Sequence, residues 1–271
     1  MNKYNQQTNI GIFGCGHMGQ AILKLLQKQP ELKNRLNFFV HSIGVKKITK
    51  TVCLNSFDKL IKKCDIIFLC LKPQDFYNLK PIAANNKIFI SIMAGVRLKN
   101  IKKIVNSKKI VRVMPNLPLQ VGQGVIAWFA DEKQLAKSQL AIIKNLFSGF
   151  GLSFKASRES ELDKITALTG SGPAYVFLFI NALIKAGVTL GFSEKQTEQI
   201  ILQLVTGSVE YYKNQKNNYS LDELIKLVKS KKGTTEAALD KLNVNKFYKQ
   251  WQLAVDRAYK RAQAISNYEI K

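Results

Sequence analysis

Residues 9–19 read Asn-Ile-Gly-Ile-Phe-Gly-Cys-Gly-His-Met-Gly, and an amphipathic stretch beginning Gln20-Ala21-Ile22-Leu23 follows at once. The order is a strand, a tight turn and a helix, with Gly14-x-Gly16-x-x-Gly19 at the junction. Gly14 permits the turn, Gly16 lets a pyrophosphate approach the backbone with no Cβ between them, and Gly19 lets the helix pack closely on its strand. N–H groups at the helix start then face the anion. A glycine-rich turn without a ligand has the same letters, but its position after a strand and before a helix favours a dinucleotide. Phe13, Gly14, Cys15, Gly16, His17, Met18 and Gly19 are therefore candidates for holding a cofactor.

Outward from that junction the pattern keeps alternating. Leu36 to Val40, Thr51 to Leu54, Ile66 to Leu71, Ile88 to Met93 and Ile110 to Val113 are short apolar runs, several separated by helix-like segments. Such alternation gives a parallel sheet with helices on both faces. Val125 to Ala130 and Leu152 to Phe154 add strands at the sheet edge. From about Glu159 onward strand signals stop, and helical periods run over Pro173 to Thr189, Glu194 to Asn214, Ser220 to Ser230 and Lys246 to the end. The expected architecture is an α/β Rossmann-type dinucleotide-binding domain over residues 1–157, followed by an all-α domain over 158–271. The stretch from Tyr175 to Ile180 is apolar on nearly every side. Either a subunit interface or the centre of a monomeric bundle would bury it.

Composition narrows the class. At 271 residues, 46% of them hydrophobic, the chain can bury a sizeable core without staples. Cys15, Cys53, Cys64 and Cys70 form no CxxC pair and sit in or beside apolar runs, as reduced, buried thiols do. A reducing, cytoplasmic setting follows. With only His17 and His41 available, and neither grouped with cysteines, no metal site is expected. The first eight residues are polar, and no apolar run approaches the ~18 residues that span a bilayer, so no membrane partner is expected. The formal charge of +24 invites a nucleic-acid reading. The lysines are scattered along the chain with no aromatic-interleaved basic stripe, which leaves weak, salt-dependent polyanion binding and no specific nucleic-acid partner.

The second strand ends Phe39-Val40-His41-Ser42-Ile43-Gly44-Val45-Lys46-Lys47. An NAD site usually carries an acidic residue there for the ribose 2′-hydroxyl. No carboxylate is present, whereas the hydroxyl, imidazole and ammonium groups suit a 2′-phosphate. His41 and Ser42 join the cofactor set, and NADP(H) is expected, with NAD(H) as a poorer alternative. Strand ends point at the ligand cleft, so Cys70, Leu71, Lys72 and Pro73, then Met93, Ala94 and Gly95, then Asn116 should line it. Farther on, Thr169-Gly170-Ser171-Gly172-Pro173 breaks a helical region and restarts it at a proline. Ser230-Lys231-Lys232-Gly233-Thr234-Thr235 is another loop into a helix, whose N–H groups could hold a small anion. Ordinary capping by Ser or Thr would explain that loop in isolation.

Taken together these residues resemble pyrroline-5-carboxylate reductase. The similarity runs end to end: GIFGCGHMGQAI at the start, LKP at 71 to 73, AGV at 94 to 96, VRVMPN at 111 to 116, DKITALTGSGPAYVFLFINAL from Asp163, AGVTLGF from Ala186 and GTT at 233 to 235. The resemblance implies NADPH-dependent reduction of 1-pyrroline-5-carboxylate to proline. It also implies that the helical domain dimerises, giving a homodimer or a higher homo-oligomer. It places the carboxylate of the cyclic imine on Ser230 and the N–H groups of Gly233 and Thr234, with the Thr235 hydroxyl near the ring nitrogen as the catalytic group. Once protonated, an imine is already electrophilic, so hydride transfer demands positioning more than a strong acid.

Two positions depart from the family. Lys231 and Lys232 stand where Pro-Gly is usual, and Leu117 stands where MPNTP has Thr. Loss of the glycine could change the turn, whereas an added ammonium could attract a carboxylate. The nearest enzymatic competitor is a 3-hydroxyacid dehydrogenase, which needs a base, typically a lysine after a Gly-rich helix start. No lysine occurs between Ile165 and Asn181. A non-catalytic NADPH-binding relative is the other alternative.

Overall fold

The computed structural model describes residues 7–32, 35–45, 47–84 and 86–267. The glycine junction is as expected: β1 (Thr8–Phe13) runs into α1 (His17–Lys28), and β2 (Leu36–His41) and β3 (Val52–Cys53) follow. The chain then alternates through α2 (Phe57–Lys63), β4 (Ile66–Leu69), α3 (Pro73–Tyr77), β5 (Ile88–Ser91), α4 (Leu98–Val105) and β6 (Ile110–Met114). β7 (Gly124–Ala130), α5 (Lys137–Ser148) and β8 (Gly151–Lys155) complete the sheet. Its order among the described residues is β3-β2-β1-β4-β5-β6-β7-β8. Neighbours are parallel except β6 and β7, which pair antiparallel from Val111↔Ala130 to Met114↔Ala127.

Period-two alternation sends side chains to two cores. Ile10, Ile12, Ile66, Phe68, Ile88, Ile90, Val111 and Val113 meet α1 and α5 on one face. Phe13, Ile67, Leu69, Phe89 and Ile110 meet α2, α3 and α4 on the other. Each large apolar side chain removed from water contributes roughly 1.5–3 kcal/mol, so a sheet filled on both faces makes a rigid base for the loops at its carboxyl ends.

The helical half comprises α6 (Glu161–Ile165), a π turn at Thr166–Gly170, α7 (Gly172–Thr189), α8 (Glu194–Gln215), α9 (Leu221–Val228), α10 (Thr234–Leu242) and α11 (Val244–Ser266). The glycine–proline stretch therefore widens the helix into a π turn, closed by Ser171 N–H to Thr166 O at 2.9 Å, instead of breaking it.

Packing divides the chain differently from the boundary at 157/158. One compact unit extends to Gly172 and resumes at Ala258; the other is Pro173–Arg257. Leu162 is buried with Ala127 and Ala156, and buried Asp163 accepts a 2.5 Å hydrogen bond from Ser266, which ties α6 and the end of α11 into the first unit. A second difference concerns apolar runs. The helical stretch Glu161–Thr189 is long and apolar enough to cross a membrane by length and composition, contrary to the sequence reading. A simple count of consecutive apolar letters misses it because glycines, threonines and serines interrupt the run without making it polar.

Candidate active site

Gly14 has φ +89°, and a Cβ on it would lie 2.7 Å from the Cys70 carbonyl oxygen. A Cβ on Gly19 would overlap the Gly14 carbonyl oxygen, whereas one on Gly16 meets nothing within 4 Å. The turn is thus tight toward the sheet and open outward at Gly16. It is stitched to the end of β2: Gly14 N–H donates to His41 O at 2.9 Å, and Cys15 N–H donates to Ser42 Oγ at 3.0 Å. His41 is held in turn by Nδ1–H to Leu54 O at 3.0 Å and by stacking on Phe13, with centroids 5.3 Å apart.

Serines cap α2, α8 and α9, each accepting a backbone N–H of its helix's first turn. α1 instead starts at Gly16 with no side-chain cap, and its first intrahelical bond is Gln20 N–H to Gly16 O. The N–H groups of His17, Met18 and Gly19 precede that bond, so the helix start is chemically set to receive an anion. No carboxylate stands at His41–Val45. These residues fit a phosphorylated dinucleotide. Lys46 lies outside the described residues, and Lys47 is exposed.

The remaining sequence candidates divide by role. Phe13 is buried, stacked 4.0 Å from Phe57 between ring centroids, so its ring is not offered to the surface, whereas Leu71 packs on the same core and is only half-buried. Cys15 is buried, and burial raises its thiol pKa. Cys70 is half-buried and also raised, while Cys64 is pushed up to about 12 by burial. All four cysteines are free, but Cys53 and Cys70 are not fully buried as expected. Lys72 precedes α3 and Pro73 starts it. Met93 is buried, with its N–H on Ser91 Oγ at 3.3 Å, and Ala94 is half-buried. Asn116 is also buried, and its Oδ1 accepts Val125 N–H at 2.8 Å, so the visible work of that oxygen is to hold the chain between β6 and β7.

One residue that sequence reasoning did not single out is Glu159. Its Oε1 accepts Arg112 Nη1–H at 2.8 Å and Leu98 N–H at 2.7 Å. Arg112 is 5% exposed. A charged residue inside the apolar run from Ile110 to Met114 demands a partner, and that was the available signal.

The second candidate region lies in the Pro173–Arg257 unit. Gly233 precedes α10 with no side-chain cap, and its N–H donates to Ser230 O at 3.0 Å. A Cβ on Gly233 would overlap Ser230 Oγ. Lys232, which stands where the family usually has glycine, has a left-handed backbone at φ +57°. Glu236 supports this: its Oε2 accepts Lys232 N–H at 2.7 Å and its Oε1 pairs with Lys229 Nζ at 3.1 Å. Those contacts, the Lys232 N–H first, hold its carboxyl below the usual range. Ser230 and Thr234 are exposed and Thr235 is half-buried. Thr235 borders an open apolar groove of about 790 Å³ between α8, α9 and α10, with Leu204, Tyr211, Leu224, Val228 and Leu239. In the same unit α7 exposes Val176, Phe177, Leu178 and Phe179, each by 46% or more. The chain does not bury this helix by itself, which removes the monomeric-bundle alternative.

Comparison with known proteins matches the N-terminal and C-terminal parts of the chain separately. Residues 159–265 match the family profile described as pyrroline-5-carboxylate reductase dimerisation. Residues 9–95 match that described as NADP oxidoreductase, coenzyme F420-dependent. The pyrroline-5-carboxylate reductase of Aquifex aeolicus is 34% identical over 94% of this chain and 97% of its own. A crystal structure of Plasmodium falciparum pyrroline carboxylate reductase with NADP bound superimposes with a TM-score of 0.85 at 31% identity, covering 98% of this chain and all of that one. The Streptococcus pyogenes 1-pyrroline-5-carboxylate reductase gives 0.85 at 29% identity, over 95% and 99%.

Proposed function

The chain belongs to the pyrroline-5-carboxylate reductase family, and we infer from that premise that it reduces 1-pyrroline-5-carboxylate to proline with NADPH. Within the chain, the observation that carries this reading is a pair of helix starts left uncapped at glycine, Gly16 before α1 and Gly233 before α10. One is built for a dinucleotide phosphate, the other for a small carboxylate.

The first unit's residues divide the cofactor between them. The N–H groups of Gly16, His17, Met18 and Gly19 hold the pyrophosphate, and Ser42 and His41 receive the 2′-phosphate. Phe13, Gly14 and Cys15 shape the turn, while Cys70–Pro73, Met93–Gly95 and Asn116 form its walls. Bound there, NADPH supplies a hydride. In the second unit, Ser230 Oγ and the Thr234 N–H hold the imine's carboxylate, and the Gly233 N–H shares with it the hydrogen bond that it donates to Ser230 O. The Thr235 hydroxyl keeps the proton on the ring nitrogen, so that the neighbouring carbon is electrophilic when the hydride arrives. The functional division is 1–157 for the cofactor and 158–271 for dimerisation and substrate.

A second copy of the chain covers α7 and the apolar groove, giving a homodimer or a higher homo-oligomer and accounting for the apolar character of Glu161–Thr189 without a membrane. Four free cysteines suit the reducing cytoplasm. The 3-hydroxyacid dehydrogenase reading lacks its lysine between Ile165 and Asn181. Steady-state oxidation of NADPH and of NADH, with and without the imine, tests the reading. Imine-dependent oxidation with higher kcat/KM for NADPH is expected. Equal or reversed preference overturns the 2′-phosphate assignment, and a folded protein that binds NADPH without oxidising it is the non-catalytic relative.

A further inference from the structure

We propose that Glu159 is a positioning residue for the cofactor, acting through the turn between β5 and α4. α4 starts after Arg97, which gives it no side-chain cap, and it has no acidic residue in its first turn. Glu159 supplies that anion from 61 residues away, accepting Leu98 N–H at 2.7 Å. The same oxygen pairs with Arg112 at 2.8 Å, so the carboxylate is itself fixed by a buried cation on β6. A carboxylate at a helix start makes a charge-assisted hydrogen bond and complements the helix dipole.

The consequence falls on Met93–Arg97. Met93 N–H is tied to Ser91 Oγ at 3.3 Å, and Arg97 Nη2–H donates to Asn267 Oδ1 at 2.8 Å. Gly95, at φ +75°, packs so closely against Ile265 of α11 that a Cβ would overlap it. The turn is thus clasped by Glu159 from one side and by the end of α11 from the other. Removing the Glu159 acceptor frees the start of α4 and with it the backbone of Ala94 and Gly95. Binding would then have to order that backbone, which weakens cofactor affinity without touching the substrate loop.

This inference rests on the reading of Met93–Gly95 as a wall of the NADPH site. Equilibrium titration with NADPH, followed by its own fluorescence, tests it in the intact protein alongside KM for both substrates and amide exchange at Leu98. Glu159→Ala should weaken NADPH binding about tenfold, the effect of one charge-assisted hydrogen bond. KM for the imine should stay within about twofold on the same ground, and Leu98 should exchange faster. Glu159→Gln keeps an acceptor and should recover most of the affinity and the protection. Leu98→Pro removes the donor at a first-turn position that accepts proline, after an Arg97 already extended at φ −72° and ψ 155°, and should weaken NADPH binding while leaving the Arg112 pair intact. It serves if Glu159→Ala does not fold. Unchanged NADPH affinity in the folded variants, an equal rise in both KM values, or a glutamine variant no better than alanine overturns the proposal. A wild-type protein that does not bind NADPH overturns the reading beneath it.

Discussion

Lys232 holds a conformation that L-residues adopt at a cost of roughly 1–2 kcal/mol, at φ +57°. Glycine there would relieve the strain but gain about 0.4–1 kcal/mol of unfolded-chain entropy, so Lys232→Gly should raise stability by about 0.5–1 kcal/mol in urea unfolding. A loss of stability would show that the lysine side chain contributes more than its backbone costs. Thr235→Ala should lower kcat/KM for the imine roughly ten- to more than a hundredfold, about 1.5–3 kcal/mol, with NADPH affinity nearly intact. Unchanged efficiency would remove Thr235 from the mechanism. The replaced Pro-Gly was legible in the letters, but the left-handed turn at Lys232 was not, because it depends on Glu236 accepting the Lys232 N–H. Glu159 was hidden for a related reason: its partners, Leu98 and Arg112, lie 61 and 47 residues away, beyond any local pattern.

Strands and helices were read well where their period was strong. β1, β4, β5 and β6 alternate between two cores, and that alternation is visible as short apolar runs bounded by polar residues. The antiparallel direction of β7 was not visible, since strand direction is set by the short Leu117–Val121 connection and by Asn116 gripping Val125 N–H. Nor was the π turn at Thr166–Gly170, because glycines mark an interruption without saying whether the helix widens or ends. In the proposed site, cofactor binding rests on the glycine junction. Gly19→Ala places a methyl group against the Gly14 carbonyl and must move α1 off the turn. NADPH affinity should fall about tenfold or more, a change of at least about 1.4 kcal/mol in a binding titration. An alanine variant with wild-type affinity would mean that the turn does not hold the pyrophosphate.

At the scale of the molecule, the net charge of +24 does not identify a partner, whereas the uncovered apolar helix does. Phe177 and Leu178 are 55% and 64% exposed in the single chain, beside exposed Val176 and Phe179, and a contiguous apolar face of that kind marks an interaction surface. Light scattering at low micromolar concentration should find no folded monomer, and a stable, active monomer would contradict the dimer. The half-and-half plan was legible from the loss of strand signals near Glu159; the return of Ala258 onward to the first unit was not, because it rests on Ser266 meeting Asp163. In the proposed reaction a hydride passes from NADPH to the C=N carbon of 1-pyrroline-5-carboxylate. Incubating the protein with the imine and NADPH carrying deuterium at the transferable position, then locating the label in the product by NMR, tests it most directly. Proline should carry one deuterium, on the ring carbon bonded to nitrogen and remote from the carboxylate. Unlabelled proline, label elsewhere on the ring, or no proline from folded protein would contradict it.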